Sequence, residues 1–312
     1  MDASARPTRA HRYETAVADS GRWDAYRPRA GDVIVATAPK CGTTWTQMIC
    51  ALLIHGPALP RPLTRLSPWL DRVSEPIEAV IDGLERQPWR RVIKTHTPLD
   101  GLPYFDDVDY VFCGRDVRDA FLSMMAAMAN ISAATMEAVR RRIGAPDGFA
   151  FPADPNAFFP VWMTQPIQGW VEDGFPTGSV FATARAFWRF RGLPNVHFTH
   201  YRDLTLDLAA EMRRLATALG VEVAETDWPP LLDAAGFRAM AAHADDTAPG
   251  AHLGEWTSNR AFFDTARLGA WRDVLTDANQ ALYTELAPQR VGPALQAWLE
   301  GGRAVPGDPR RL

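Results

Sequence analysis

A lysine set inside a Gly/Thr turn is the first feature of this chain that could do chemistry. The stretch ATAPKCGTTWTQMIC (residues 36–50) follows the apolar run DVIV and leads into a helical pattern. Strand, turn and helix together can hold an anion, because the first N–H groups of a helix lack internal partners and point outward. Gly42 lets the backbone approach closely, Thr43 and Thr44 supply hydroxyls, and Lys40 adds a mobile positive charge. These parts suit a phosphate; they also describe a helix start with threonine caps and a surface lysine. The common nucleoside-triphosphate loop sets its lysine directly after the glycine, whereas here it stands two residues before.

A second stretch, RRVIKTHTP (90–98), reads as a strand on which Lys94 and His96, two apart, face the same way. They fall at its C-terminal end, where open α/β sheets collect ligands. Histidine takes a proton readily near neutral pH, although a lone histidine after a strand is more often just a half-exposed polar residue. The third stretch is YVFCGRDVRDAFLSMM (110–125). It runs from a strand into Arg115, then Asp116 as N-cap of a helix carrying Ser123. Arg115 and Ser123 suit a clamp for a second phosphate, and Arg118 and Asp119 read as solvated helix charges.

The elements that must position these residues are legible as short apolar runs alternating with helical patterns, the signature of βαβ units around a parallel sheet. Strands are predicted at residues 32–36, 91–95, 110–113 and 195–199, and helices at 44–55, 117–129, 179–191 and 206–219, the last closed by Gly220. Residues 145–177, rich in Pro, Gly and aromatics, read as an irregular lid or pocket wall. The predicted organisation is an N-terminal extension (1–30), one α/β domain (31–300) and a loose tail (301–312).

The 312 residues carry a net charge of −4, so no overall basic field invites nucleic acid. Three scattered cysteines, Cys41, Cys50 and Cys113, fit neither a disulfide framework nor a zinc site, which predicts a reducing cytoplasm. The first thirty residues hold no apolar core for a signal peptide, and MICALLIHG falls well short of the ~20 residues of a membrane span. No membrane association is expected.

Taken in order, P-K-x-G-T-T-W, then K-T-H-x-P, then an Arg and a Ser eight apart resemble the cytosolic-type sulfotransferases, from about Asp32 to Trp298. That family uses 3′-phosphoadenosine 5′-phosphosulfate (PAPS) as donor, leaves 3′-phosphoadenosine 5′-phosphate (PAP), and needs no metal. The resemblance implies a P-loop-like three-layer fold, a central mostly parallel sheet flanked by helices. It implies that Lys40, Cys41, Gly42, Thr43 and Thr44 surround the 5′-phosphosulfate, with Trp45 on the adenine. It casts His96 as general base with Lys40 and Lys94 as catalytic cations, and Arg115 and Ser123 as the 3′-phosphate clamp. VHFTHYRDLT and GFRAM are similar to segments that make Tyr201 and Phe237 adenine contacts. LSPWLDRV is similar to the segment that walls the acceptor with an aromatic, here Trp69. Phe151, Phe158, Phe159 and Trp162 are further acceptor candidates, although their spacing suits plain packing too. Such a pocket favours a small hydrophobic phenol, alcohol or amine.

The chain departs from the family pattern F-x-R-K-G-x-x-G-x-W in FFDTARLGAWRD. Phe262, Gly269 and Trp271 match, but Asp264, Thr265 and Ala266 replace Arg-Lys-Gly. Arg267, with Arg260 second, is the expected replacement cation for the 3′-phosphate. The family's dimerisation segment, K-x-x-x-T-V-x-x-x-E, is also imperfect: Thr276 matches, but Arg272, Asp277 and Ala281 depart from it, so a monomer or weak homodimer is expected. Two alternatives stay open: a P-loop kinase or NTPase, and a catalytically weak adenine-nucleotide-binding protein.

Overall fold

Val33, Val35, Val92, Val111 and Cys113 alternate along their strands with Ile34, Ala36, Ile93, Tyr110 and Phe112, and each set sits in a different buried cluster. Successive side chains of a strand point to opposite faces, so runs that are apolar at every position demand cover on both sides. The result is the three-layer arrangement expected. In the computed structural model, residues 5–148, 150–166, 168–263 and 267–312 are described. Asp264, Thr265 and Ala266 lie outside the described residues.

Strands β1 (Val33–Ala36), β2 (Val92–Thr95), β3 (Asp109–Gly114) and β4 (Val196–His200) form one sheet in the order β2-β1-β3-β4. Every pairing is parallel. The helices Thr43–His55, Leu208–Ala218 and Trp228–Ala235 cover one face; Val117–Ala129, Pro155–Thr164, Val180–Trp188 and Asp277–Gly301 cover the other. Because β2 and β3 flank β1 on opposite sides, the chain reverses its winding there. The crevice at the C-terminal ends of β1 and β3 is a topological switch point.

Several sequence expectations are corrected. Residues 155–164 are helical: Asp154 accepts the Asn156 N–H as N-cap and Pro155 opens the first turn. The helix expected over 206–219 runs Leu208–Ala218, opened by the Asp207 side chain accepting from Ala210 N, and an unexpected short helix, Tyr201–Leu206, precedes it. The segment after Gly301 is tied down: Arg303 N donates to Asp203 at 2.9 Å, and Arg310 reaches the carbonyls of Leu193, Pro194 and Val196. The N-terminal extension is likewise anchored, with Trp23 donating to Asp71 and Tyr26 to Asp32.

Candidate active site

Lys40 ends the turn after β1 with φ of 64°, the only non-glycine residue with positive φ among the described residues. A left-handed backbone costs a side-chain-bearing residue about 1–2 kcal/mol, and such strain collects at functional sites. It sets the lysine Nζ 3.9 Å from the centroid of the Phe262 ring. Gly42 follows with φ of 94°; a Cβ there would meet the Tyr201 ring at 3.1 Å and the Cys113 sulfur at 3.2 Å. Among the described residues no side chain caps the helix start at Gly42, leaving its positive end to the cavity. Thr43 shares a short hydrogen bond with Thr37. Cys41 is fully buried in the core and its thiol is pushed up to about 12 by desolvation, so it contributes backbone rather than a thiolate.

The register of β1 on β2 pairs Ala36 with Thr95, which brings His96 beside Thr37. His96 Nδ1 lies 2.8 Å from the Thr37 carbonyl oxygen. A carbonyl only accepts, so Nδ1 carries the proton and Nε2 is left with a free lone pair. Burial, followed by the nearby Lys94 charge, pushes the imidazole well below its usual pKa, so it is neutral at pH 7. Lys94 and His96 do face the same way: the Lys94 Nζ is 4.3 Å from the Trp69 ring centroid, and the His96 ring meets Trp69 edge-on at 4.8 Å. Trp69 is held there because residues 68–70 bridge to β2, with Lys94 N donating to Pro68 O. Desolvation lowers Lys40 to about 7 and Lys94 to about 8. Neither ammonium is hydrogen-bonded to a carboxylate among the described residues.

Arg115, at the end of β3, donates to the Lys40 carbonyl at 2.8 Å and lies 4.1 Å over the Tyr201 ring. Among the described residues its buried Nε has no hydrogen-bond partner, a cost of about 1–3 kcal/mol that an anionic ligand would relieve. Trp45, whose Nε1 donates to Ala235 O, stands edge-on to Tyr201 (5.5 Å) and Phe237 (6.4 Å), forming an aromatic box. One cavity is lined by Lys40, Gly42, Thr43, Thr44, Trp45, Trp69, Lys94, His96, Arg115, Ser123, Tyr201 and Phe237 together.

Other candidates fall elsewhere. Phe151 lines the cavity, but Phe158, Phe159 and Trp162 do not; they pack against Phe121 in the core, with centroids 5.0–6.1 Å apart. Arg267 is exposed and paired with Asp273, and neither it nor Arg260 reaches the cavity. Arg118 and Asp119 are buried, not solvated. Arg118 pairs with Asp116 and is stacked 3.6 Å from the Trp271 ring, while Asp119 accepts the Gly269 N–H at 2.7 Å. The family-like Phe262, Gly269 and Trp271 thus clasp Lys40 and the helix start after β3. Sequence reading missed the Thr37 carbonyl, which only strand register reveals. It also missed Asp71, a buried carboxylate receiving Thr95 and Thr97, and Glu255, on the cavity wall.

Among the described residues, no group of three or more His, Cys, Asp and Glu could hold a metal ion, and no helix is long and apolar enough to cross a membrane.

A parallel sheet whose switch point carries a cationic loop and an aromatic box has the open α/β arrangement that collects ligands at its strand ends. The Sulfotransferase domain model matches residues 30–291. The chain is 38% identical over 308 residues to a glycolipid sulfotransferase of Mycobacterium bovis, covering 93% of this chain and 94% of that protein. It is 21% identical to Sulfotransferase 1C2 of Oryctolagus cuniculus over 89% of each chain. Among solved structures, retinol dehydratase in a complex with retinol and PAP superposes with TM-score 0.68 at 18% identity, covering 88% of this chain and 86% of that one. A mouse sulfotransferase complexed with PAP superposes with TM-score 0.63 at 18% identity, covering 87% and 88%. The chain belongs to the sulfotransferase family, and it is a sulfotransferase. The kinase reading falls away.

Proposed function

We propose that the protein moves the sulfuryl group of PAPS to a hydroxyl of an amphiphilic acceptor, with His96 as general base. The observation that carries this is the fixed tautomer of His96: Nε2 is the free acceptor of a neutral imidazole that lines the same cavity as Lys40, Lys94 and Arg115. The donor supplies a sulfuryl group whose bond to the acceptor oxygen forms as its bond to the bridging phosphate oxygen breaks. Nε2 takes the acceptor's proton as that bond forms. Lys40 and Lys94 hold the negative charge that gathers on the bridging and transferring oxygens, so no metal is required for that task. Thr43, Thr44 and the helix start at Gly42 hold the 5′-phosphate end, Arg115 and Ser123 the 3′-phosphate, and Trp45, Tyr201 and Phe237 the adenine.

For the acceptor, Met124, Met128, Ile131, Val139, Phe151 and Val171 give the cavity an apolar wall, which suits a hydrophobic body with its hydroxyl at His96. The names of the mycobacterial relatives favour a lipid bearing a sugar head over a simple phenol. We propose action in the cytoplasm as a monomer or weak homodimer. The test is PAPS-dependent transfer, in the presence of EDTA, to octyl glucoside, octanol and a phenol. Transfer to the glycoside is expected, and PAP binding without transfer to any of them would overturn this acceptor reading.

Nucleotide binding should take up protons. Lys40, lowered to about 7, is half-neutral at pH 7, and an adjacent phosphosulfate or phosphate restores its charge. Calorimetry of PAP binding at pH 7, in buffers of different ionisation enthalpy, is expected to register uptake of about half a proton. Affinity should hold below pH 7 and fall by up to about tenfold per pH unit as pH rises above it.

A further inference from the structure

Glu255 is the only carboxylate among the described residues lining the cavity. Its backbone is fixed: Ser132 N donates to Glu255 O at 2.9 Å, Thr257 N to Asn130 O at 2.8 Å, and Ile131 bridges to Trp256. One carboxylate oxygen, Oε2, accepts from Arg72 Nη1 at 2.9 Å, and Arg72 is held in turn by Ser74. The other, Oε1, has no hydrogen-bond partner among the described residues. Gly250 makes room for the pair. With φ of 71°, it passes so close that a Cβ would stand 2.9 Å from Arg72 Nη1 and collide with Glu255 Oε2. Arg72 lies 5.5 Å from the centroid of the Trp69 ring, the ring that His96 meets edge-on. Arg72 and Trp69 therefore link the carboxylate to the base.

We infer that Glu255 selects the acceptor: its free oxygen accepts a hydrogen bond from a second hydroxyl of an uncharged, polyhydroxylated head group, and its charge rejects anionic ones. This rests on the acceptor reading above. Once a donor nucleotide has engaged Lys40, Lys94 and Arg115, Glu255 is the negative group left facing the acceptor. A carboxylate accepts from a hydroxyl more strongly than a neutral group does. It also repels a carboxylate or sulfate brought into the same desolvated space. The enzyme would then favour a sugar hydroxyl with a neighbouring hydroxyl over a lone alcohol, and would disfavour a head group already carrying a negative charge.

The test is calorimetric titration of the PAP-loaded protein with octyl glucoside, octyl glucuronide and octanol, for the wild type and Glu255→Gln. The wild type is expected to prefer the glucoside to the glucuronide by about tenfold or more. Glu255→Gln should lose about tenfold for the glucoside, bind octanol within about twofold of the wild type, and gain affinity for the glucuronide. That gain cannot come from misfolding. An equal loss on all three ligands would make Glu255 a structural counter-ion of Arg72, and unchanged ratios would remove it from recognition; either overturns the inference. If the wild type binds none of the three while still binding PAP, the amphiphile reading and this inference fail together. Intact glucoside preference without PAPS-dependent transfer would sink only the donor chemistry.

Discussion

Replacing His96 with alanine is expected to lower kcat by about 10²–10⁴-fold while leaving PAP affinity within about threefold of the wild type. The imidazole has one free nitrogen, because Nδ1 is committed to the Thr37 carbonyl. Desolvation in its half-buried site, followed by the Lys94 charge, holds it neutral at pH 7. Among the described residues, His96 is the only imidazole lining the cavity. Single-turnover transfer from PAPS, measured beside calorimetric PAP binding, checks the split. Retained transfer would take the base role from His96, and a matching loss of PAP affinity would make it a scaffold residue.

Lys40→Ala should lose both functions. Its ammonium lines the cavity, hydrogen-bonded to no carboxylate among the described residues, and is held over Phe262 by a strained backbone. Removing one charged hydrogen bond to the bound nucleotide should weaken PAP by about ten- to a hundredfold. A further loss of about a hundredfold or more in kcat is expected if the charge also meets the leaving phosphate in the transition state. Measuring Kd for PAP and kcat separately resolves the two. A loss confined to Kd would reduce Lys40 to a binding residue. Proton uptake on PAP binding should also fall to about a tenth of a proton in this variant, since Lys40 is the group lowered to about 7 and Lys94, lowered to about 8, remains.

Much of this site was legible before any coordinates. A lysine before Gly-Thr-Thr at a strand-to-helix turn, and Lys and His two apart at a strand end, are local patterns, and local patterns survive into the fold. Chain-distant contacts were not legible. Arg118 and Asp119 read as solvent charges because nothing in their own helix predicts that Trp271 and Gly269, some 150 residues on, will cover them. Arg267 was the natural substitute for a missing cation, yet it turns outward to Asp273. Phe158, Phe159 and Trp162 read as pocket aromatics because a Pro-rich run hid an Asp-Pro helix start that sends all three into the core.

By itself the sequence determined the layered α/β plan, the Lys-Cys-Gly-Thr-Thr turn after the first strand and the residue types proposed for the chemistry. Strand alternation, helix periodicity and turn residues act within a few positions of one another, so they can be read from the string alone. The tertiary structure alone decided which nitrogen of His96 is free, that Lys40 rests on Phe262, and that Glu255 meets Arg72 on the cavity wall. Those outcomes depend on strand register and on packing between segments far apart in the chain, where burial and desolvation, rather than local preference, select the partner.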